Sequence, residues 1–303
     1  MTAALELEPP VFARPLRMTD ADGVYALVSR CEQADLDEVM IDLEDIVSDW
    51  QRPSFDLTTQ SIGLFDADDL IGCCEVFRAR RAEGYVDPDY RGRGLGTSLM
   101  RWTWDVVREG GGALVGQTVP ESSDAAALLR SHGYAPLWTS WVLAFPPGNA
   151  IAAAQLPKGV RIRPFVPGRD EQAAFQTVED AFNEWPDRDP AAFDDWVATV
   201  PGRPGFEPWQ LLLATERDGA VIGVCHLVLS GDSTWINHIA VRRDRRGLGI
   251  GRGLLLEAFA AGRSRGAHRA ELSTDSRTGA LELYRHVGME VTQTFVHLAK
   301  SLG

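Results

Sequence analysis

Two hydrophobic periods alternate along the second half of the chain, and each switch between them marks an element boundary. Val160–Arg163 alternates and predicts a strand, while Glu171–Asn183 and Pro190–Thr199 carry apolar residues at helical spacing. Leu211–Glu216 and Val221–Leu229 then read as a hairpin closed by Arg217-Asp218-Gly219-Ala220, where a glycine supplies any positive φ that the turn needs. Trp235–Val241 is the next strand, Arg252–Ser264 a helix, Ala270–Ser273 a strand, Thr278–His286 a helix and Val291–Ala299 the last strand. This order predicts an α+β fold, a mixed and mostly antiparallel sheet flanked by helices.

The first half repeats the pattern. Phe12-Ala13-Arg14-Pro15 matches Arg161-Ile162-Arg163-Pro164, and Leu70-Ile71-Gly72-Cys73-Cys74 matches Val221-Ile222-Gly223-Val224-Cys225. Leu128-Leu129-Arg130 matches Leu283-Tyr284-Arg285 at a similar offset, so the chain is read as one domain written twice. Around Phe145–Gly159 periodicity stops and proline and glycine gather, as in a linker. The expected boundaries are a first domain over 1–148, a linker over 149–159 and a second domain over 160–303.

Composition narrows the function classes. The 303 residues are 45% hydrophobic and 24% charged, which suits packed cores rather than disorder. The net charge of −13 has the wrong sign for a nucleic-acid partner. Residues 1–150 hold 24 acidic and 12 basic side chains against 19 and 18 in the remainder, so the acidity is concentrated in the first copy. No apolar run reaches the ~20 residues of a membrane helix, and no basic-then-apolar leader opens the chain, which predicts a cytoplasmic protein with no membrane partner. Cys31, Cys73, Cys74 and Cys225 lack metal-ligand spacing and are expected to be reduced core residues, with no metal site.

The sharpest chemical signal is a strand, a glycine loop and a helix, present as Arg91-Gly92-Arg93-Gly94-Leu95-Gly96 and again as Arg246-Gly247-Leu248-Gly249-Ile250-Gly251. Glycines let backbone N–H groups approach an anion, and the helix N-terminus adds its positive dipole end, so each loop suits a phosphate. Neither of the two lysines, Lys158 and Lys300, lies near a loop, which excludes a Walker loop. A dinucleotide fingerprint is excluded too, because it would follow the first strand.

Strand, Arg-x-x-Gly-x-Gly and helix, followed by Ala280-Leu281-Glu282-Leu283-Tyr284 and Gly288, resemble the GNAT superfamily of acyl-CoA-dependent N-acyltransferases, and the likeness covers both copies. The resemblance implies acetyl-CoA as acyl donor. It implies that backbone amides of Arg246, Gly247, Leu248, Gly249, Ile250, Gly251 and Arg252 hold the pyrophosphate, and likewise Arg91, Gly92, Arg93, Gly94, Leu95, Gly96 and Thr97. Ile239, Ala240 and Val241 are implied to part from the neighbouring strand and pair with the pantetheine arm. Tyr284 stands where the family has its general acid; Leu129, its counterpart, donates no proton, so the second copy is expected to be catalytic and the first not. Trp235 replaces a frequent glutamate base, leaving Asn237 and His238, or His226 on the adjacent strand, to act directly or through water. Arg277 departs from a frequent asparagine.

By the same resemblance Ala181–Trp196 walls the acceptor cleft, where Glu184, Trp185, Asp187, Asp194 and Asp195 offer charge pairing and cation–π contact to an amine. Cys31–Gln51 holds eight acidic residues and no basic one, which would steer cations toward the protein or simply form a solvated face. The expected activity is acetyl-CoA-dependent N-acetylation of a primary amine on a small molecule, an antibiotic, aminosugar or amino-acid derivative, a cysteinyl amine included. The alternatives are acetylation of protein N-termini or lysines, and acyl-CoA binding without turnover.

Overall fold

The computed structural model describes residue 5, residues 7–184 and residues 190–303. Two compact units are present: Met1–Ser140 with Gln293–Gly303, and Trp141–Thr292. The chain-order boundaries read from the sequence divide it differently, because the C-terminal segment of the second copy folds into the first unit, while Trp141–Phe145 folds into the second.

The first unit contains β1 (Phe12–Arg14), α1 (Ala21–Leu36), α2 (Leu43–Trp50), the one-turn α3 (Leu57–Gln60), β2 (Ser61–Asp66), β3 (Asp69–Phe77) and β4 (Arg81–Val86). After the first glycine loop come α4 (Leu95–Glu109), β5 (Leu114–Pro120), α5 (Asp124–Ser131) and the start of β6 (Ala135–Phe145). The second unit holds the end of β6, then β7 (Arg161–Pro164), α6 (Glu171–Phe182), α7 (Phe193–Thr199), β8 (Leu211–Thr215), β9 (Val221–Ser230) and β10 (Ser233–Val241). Its second half is α8 (Ile250–Arg263), β11 (Arg269–Asp275), α9 (Leu281–Val287) and the start of β12 (Glu290–Ser301).

The sheet of the first unit runs β1-β2-β3-β4-β5-β12, and that of the second β6-β11-β10-β9-β8-β7. Pairing is antiparallel for β1 to β4 and for β7 to β10, and parallel for β4–β5 and β10–β11. β12 completes the first sheet by antiparallel pairing with β5 from Phe295↔Pro120 to Ser301↔Leu114. Val296 and Leu298 on it are buried among Leu99, Met100 and Val115, so this strand is core rather than trim. The sequence could not assign the exchange, since an apolar alternating strand fits either sheet equally well.

Each sheet is covered on both faces. In the first unit α4 and α5 pack on one side and α1 and α2 on the other. Strand interiors therefore read as continuous apolar runs: Cys73 faces α1 and α2, and its neighbour Cys74 faces α4. In the second unit α8 and α9 cover one face, and α6 and α7 the other. α8 lies so close to β10 that a Cβ at Gly262 would collide with Thr234. The two copies repeat one anchor: Arg14 pairs Asp20 through two hydrogen bonds of 2.7 and 2.9 Å, and Arg163 pairs the buried Asp170 through two of 2.5 and 3.0 Å. All four cysteines are buried and unpaired, in keeping with the sequence reading.

Candidate active site

Each glycine loop ends in a helix N-terminus whose amides have no internal partner. Gly94 and Gly249 are the N-cap residues of α4 and α8, both left-handed at φ 81°, and Gly92 and Gly247 both sit at φ 76°. A residue with a Cβ disfavours this region by roughly 1–2 kcal/mol, which is why glycine stands at these four places. Among the described residues no acceptor faces the amides of residues 92–97 or 247–252; the ladders begin with Ser98 N–H to Gly94 O at 3.0 Å and Gly253 N–H to Gly249 O at 2.9 Å. A Cβ built on Gly92, Gly94 or Gly247 meets nothing within 4 Å. Several convergent donors, open approach and the positive end of a helix dipole suit an anion in both copies.

The strand before the loop supplies the second feature. β10 pairs with β11 from Ser233↔Arg269 to Ile236↔Leu272 and no further, whereas its pairing with β9 continues to Val241↔Gly223. A bulge at Asn237 shifts the register between Ile236 and His238, and beyond it Ile239, Ala240 and Val241 keep one edge without a strand partner. In the first unit the same divergence is greater, since β4 and β5 share the single pair Arg81↔Gly116. A parted pair of parallel strands gives an extended chain with amides and carbonyls a groove and a hydrogen-bonding edge.

Residues 171–289 match the acetyltransferase (GNAT) family, and residues 60–136 match an acetyltransferase (GNAT) domain. A mycothiol acetyltransferase of Thermobispora bispora is 32% identical over 235 residues, 74% of this chain and 78% of that protein. The chain belongs to the GNAT acetyltransferase family. Its likeness to the mycothiol acetyltransferase of Sanguibacter keddieii, 27% identical, extends over 95% of this chain and 88% of the relative. Among solved structures, a GCN5-related N-acetyltransferase from Sphaerobacter thermophilus superposes with a TM-score of 0.76 at 33% identity over 98% of this chain and 97% of that one. A tandem GNAT protein from the clavulanic acid biosynthesis pathway shares the fold, with a TM-score of 0.74 at 14% identity over 97% and 99%.

In this GNAT protein Tyr284 lies on α9, 6% exposed and packed in the core beneath α8. Burial, with Cys225 nearby, pushes its phenol up to about 12, so it stays protonated throughout the neutral range. Its backbone is fixed by Gly288, left-handed at φ 96°, with Met289 N–H donating to Tyr284 O at 3.1 Å. The first unit closes α5 in the same way, Gly133 at φ 82° and Tyr134 N–H on Leu129 O at 3.1 Å, around a buried leucine.

His238 is exposed on β10, edge-on to Phe182 at 5.9 Å, and directly opposite His226 on β9, with ring centroids 6.1 Å apart. His226 is 2% exposed and neither ring nitrogen has a partner. Burial, then His238 and Arg203, holds its pKa well below the usual imidazole value, so it is neutral. Asn237 is the extra residue of the bulge, so the period-2 alternation of a regular strand is interrupted between Ile236 and His238.

Arg246 and Glu184, expected in separate roles at the pyrophosphate and the acceptor, meet each other. Arg246 donates to Glu184 at 2.8 and 3.1 Å and to Val241 O at 3.0 Å, tying the strand end to the end of α6. Arg91 does the same with Asp35 at 2.6 and 2.9 Å and Val86 O at 3.2 Å. These arginines fix where each loop starts. Arg93 stacks over Tyr90 at 4.7 Å, and Leu248 is exposed at the loop tip. Asp195 is buried on α7, and Arg277 is held by Asp275 at 2.6 Å. Trp185 and Asp187 lie outside the described residues.

Proposed function

We propose that the second unit catalyses transfer of an acetyl group from acetyl-CoA to a primary amine of a small molecule, and that a mycothiol-type acceptor is the first to test. The observation that carries this is the conjunction, in that unit alone, of the amide-lined loop, the free edge of Ile239–Val241 and a proton-bearing Tyr284. The names of the relatives support the acceptor class. Amides of residues 247–252 bind the pyrophosphate of the donor, and the edge of β10 aligns its arm.

The incoming amine must be neutral to attack the thioester carbonyl. An alkyl ammonium has a pKa near ~10.4, so it first gives a proton to His238, the exposed member of the imidazole pair, or to water ordered by Asn237. The nitrogen–carbon bond forms, the carbon–sulfur bond breaks, the released thiolate takes the Tyr284 proton, and the second proton shed by the new amide nitrogen restores the phenol. A thiolate freed in the same dry surroundings is itself more basic than in water, which brings the two pKa values together. Leu129 gives the first unit no such proton.

Titration of acetyl-CoA into wild type and into Gly94→Glu and Gly249→Glu tests the assignment, since each substitution puts a side chain and a negative charge at one anion site. Turnover is expected to vanish in Gly249→Glu and persist in Gly94→Glu; the reverse would overturn the proposal. Tyr284→Phe is expected to lower kcat ~10²-fold or more with little change in acetyl-CoA affinity. Binding without acceptor-stimulated thiol release, across a broad amine panel, would indicate a sensor instead.

A further inference from the structure

Residues 149–157, expected to be a linker, run antiparallel to α8 without a helix or turn of their own. Arg263 Nη1 at the end of α8 donates to Asn149 O at 2.7 Å. Ile151 packs against the core that holds Leu255 and Phe259, and Leu156 reaches the first turn of the helix. The segment is a strap fastened at both ends of α8.

That first turn is shaped to receive it. Gly253 is buried within ordinary helix, where glycine is among the poorest residues and no positive φ calls for it. A Cβ there would come 2.6 Å from Leu156 Cδ2 and 3.7 Å from its Cγ, so the missing side chain is a notch that Leu156 fills. The notch adjoins the anion loop directly. Gly253 N–H donates to Gly249 O at 2.9 Å, the first rung of the α8 ladder, and a Cβ on Gly249 would lie 3.6 Å from Gln155 O. Two successive strap residues thus bear on the two glycines joined by that rung.

We infer that Leu156 is a positioning residue for the acyl donor: seated in the notch at Gly253, it holds the first turn of α8 where the amides of residues 250–252 converge on a pyrophosphate. The inference rests on the second loop being the acetyl-CoA site. Aligning Gly247 and Gly249 with Gly92 and Gly94 sets Gly253 against Ser98, whose Cβ occupies the place of the notch. The lock therefore belongs to the second unit, although Leu5 and Leu7 also pack against the first core ahead of β1.

The first turn is where such a lock has most effect. Its amides have no partner within the helix, so that end of the ladder is the least secured by its own hydrogen bonds. Hydrogen bonds weaken steeply as the donor angle closes, and donors that share one turn lose their aim together when that turn shifts. A wedge on the turn keeps several donors aligned at once. The effect is also reciprocal: whatever the seated strap adds to coenzyme affinity, bound coenzyme adds to the order of the strap.

The test titrates acetyl-CoA into the full chain and reads the site that Gly249→Glu abolishes. Gly253→Leu fills the notch and expels Leu156, Leu156→Ala empties it, and the double variant moves the large side chain from strap to helix. Expected are a loss of affinity of ~10-fold or more in Gly253→Leu, a smaller loss in Leu156→Ala, and recovery of most of it in the double variant, each measured well below its Tm. A role in packing alone would lower Tm and leave the affinity of the folded protein unchanged. Hydrogen exchange of residues 149–157 gives a readout on the wild type, independent of how the variants fold: acetyl-CoA should slow it there and not in Gly249→Glu. Wild-type binding with unchanged affinity in folded Gly253→Leu and Leu156→Ala, affinity not regained in a double variant whose Tm is regained, or strap exchange indifferent to acetyl-CoA would overturn the inference. No acetyl-CoA binding by the wild type would instead overturn the proposed function, and the role of the strap with it.

Discussion

Leu298→Ala should unfold the first unit preferentially, although residue 298 belongs by sequence to the second copy. Leu298 is fully buried on β12, opposite Gln117 of β5, in a core with Leu99, Met100 and Val115. Losing three carbons at ~0.8 kcal/mol each removes about 2.4 kcal/mol of transfer free energy. A strand packed into the core collapses poorly around the gap, and the retained cavity brings the total to roughly 3–5 kcal/mol. At ~2–4 °C per kcal/mol for a domain of this size, the unit should melt roughly 6–20 °C earlier. Hydrogen exchange read by mass spectrometry locates the effect: peptides from β3 and α4 should lose protection while those from α8 keep it. The reciprocal change is Leu143→Ala on β6, fully buried in the core with Leu255 and Phe259, which should loosen α8 and spare α4. Protection lost first in α8 for Leu298→Ala would refute the assignment of β12 to the first sheet.

Two further outcomes follow from the ionisable groups. Burial alone would raise Asp170, but hydrogen bonds from Arg163, Arg169 and the Val166 amide overcome it and hold the carboxyl far below the usual range. Its stabilisation is therefore complete above the unfolded value near ~4 and fades as pH falls toward the folded one; Asp170→Asn should cost about 3 kcal/mol at neutral pH, with the gap in Tm closing in acid. A gap independent of pH would show that the carboxylate charge is not involved. The four cysteines are buried, with the thiols of Cys31 and Cys225 pushed up by burial to about 11 and about 12, so a thiol reagent should find no reactive site in the native protein and four after denaturation. Rapid labelling of any native thiol would contradict that burial. The same silence lets the reagent report coenzyme A release without background.

The anion loops were legible because their signal is local: four glycines at positive φ, each required by its own backbone, directly before a helix. Tyr284 and Leu129 were legible for the same reason, as single positions at one offset in a duplicated pattern. What depends on register was not. The bulge at Asn237 decides which side chains of β10 face α6, and nothing in Asn237-His238-Ile239 announces it. Arg246 and Glu184 stand 62 positions apart, so their pairing could not be separated from independent roles at phosphate and acceptor. The exchange of β6 and β12 was hidden because both strands carry the same alternation and either sheet would bury them.

Register also exposes how the two copies diverged. Aligning Ile71-Gly72-Cys73-Cys74 with Ile222-Gly223-Val224-Cys225 sets Glu75 against His226, and the cross-strand partners are Glu83 and His238. One cross-strand position thus holds a carboxylate pair in the first unit and an imidazole pair in the second. The chemistry separates accordingly. A carboxylate, even one raised to about 8, is a weaker base than an alkyl amine, so it does not prepare an ammonium for attack. An imidazole pair whose inner member is kept neutral repels a cation less strongly than two charged rings would, and its outer member is the exposed one. Exchanging the pairs tests this division: Glu75→His with Glu83→His should confer no turnover on the first unit, because Leu129 still supplies no proton. Turnover arising in the first unit from that exchange alone would mean that the tyrosine at 284 is dispensable and that the imidazoles carry the reaction.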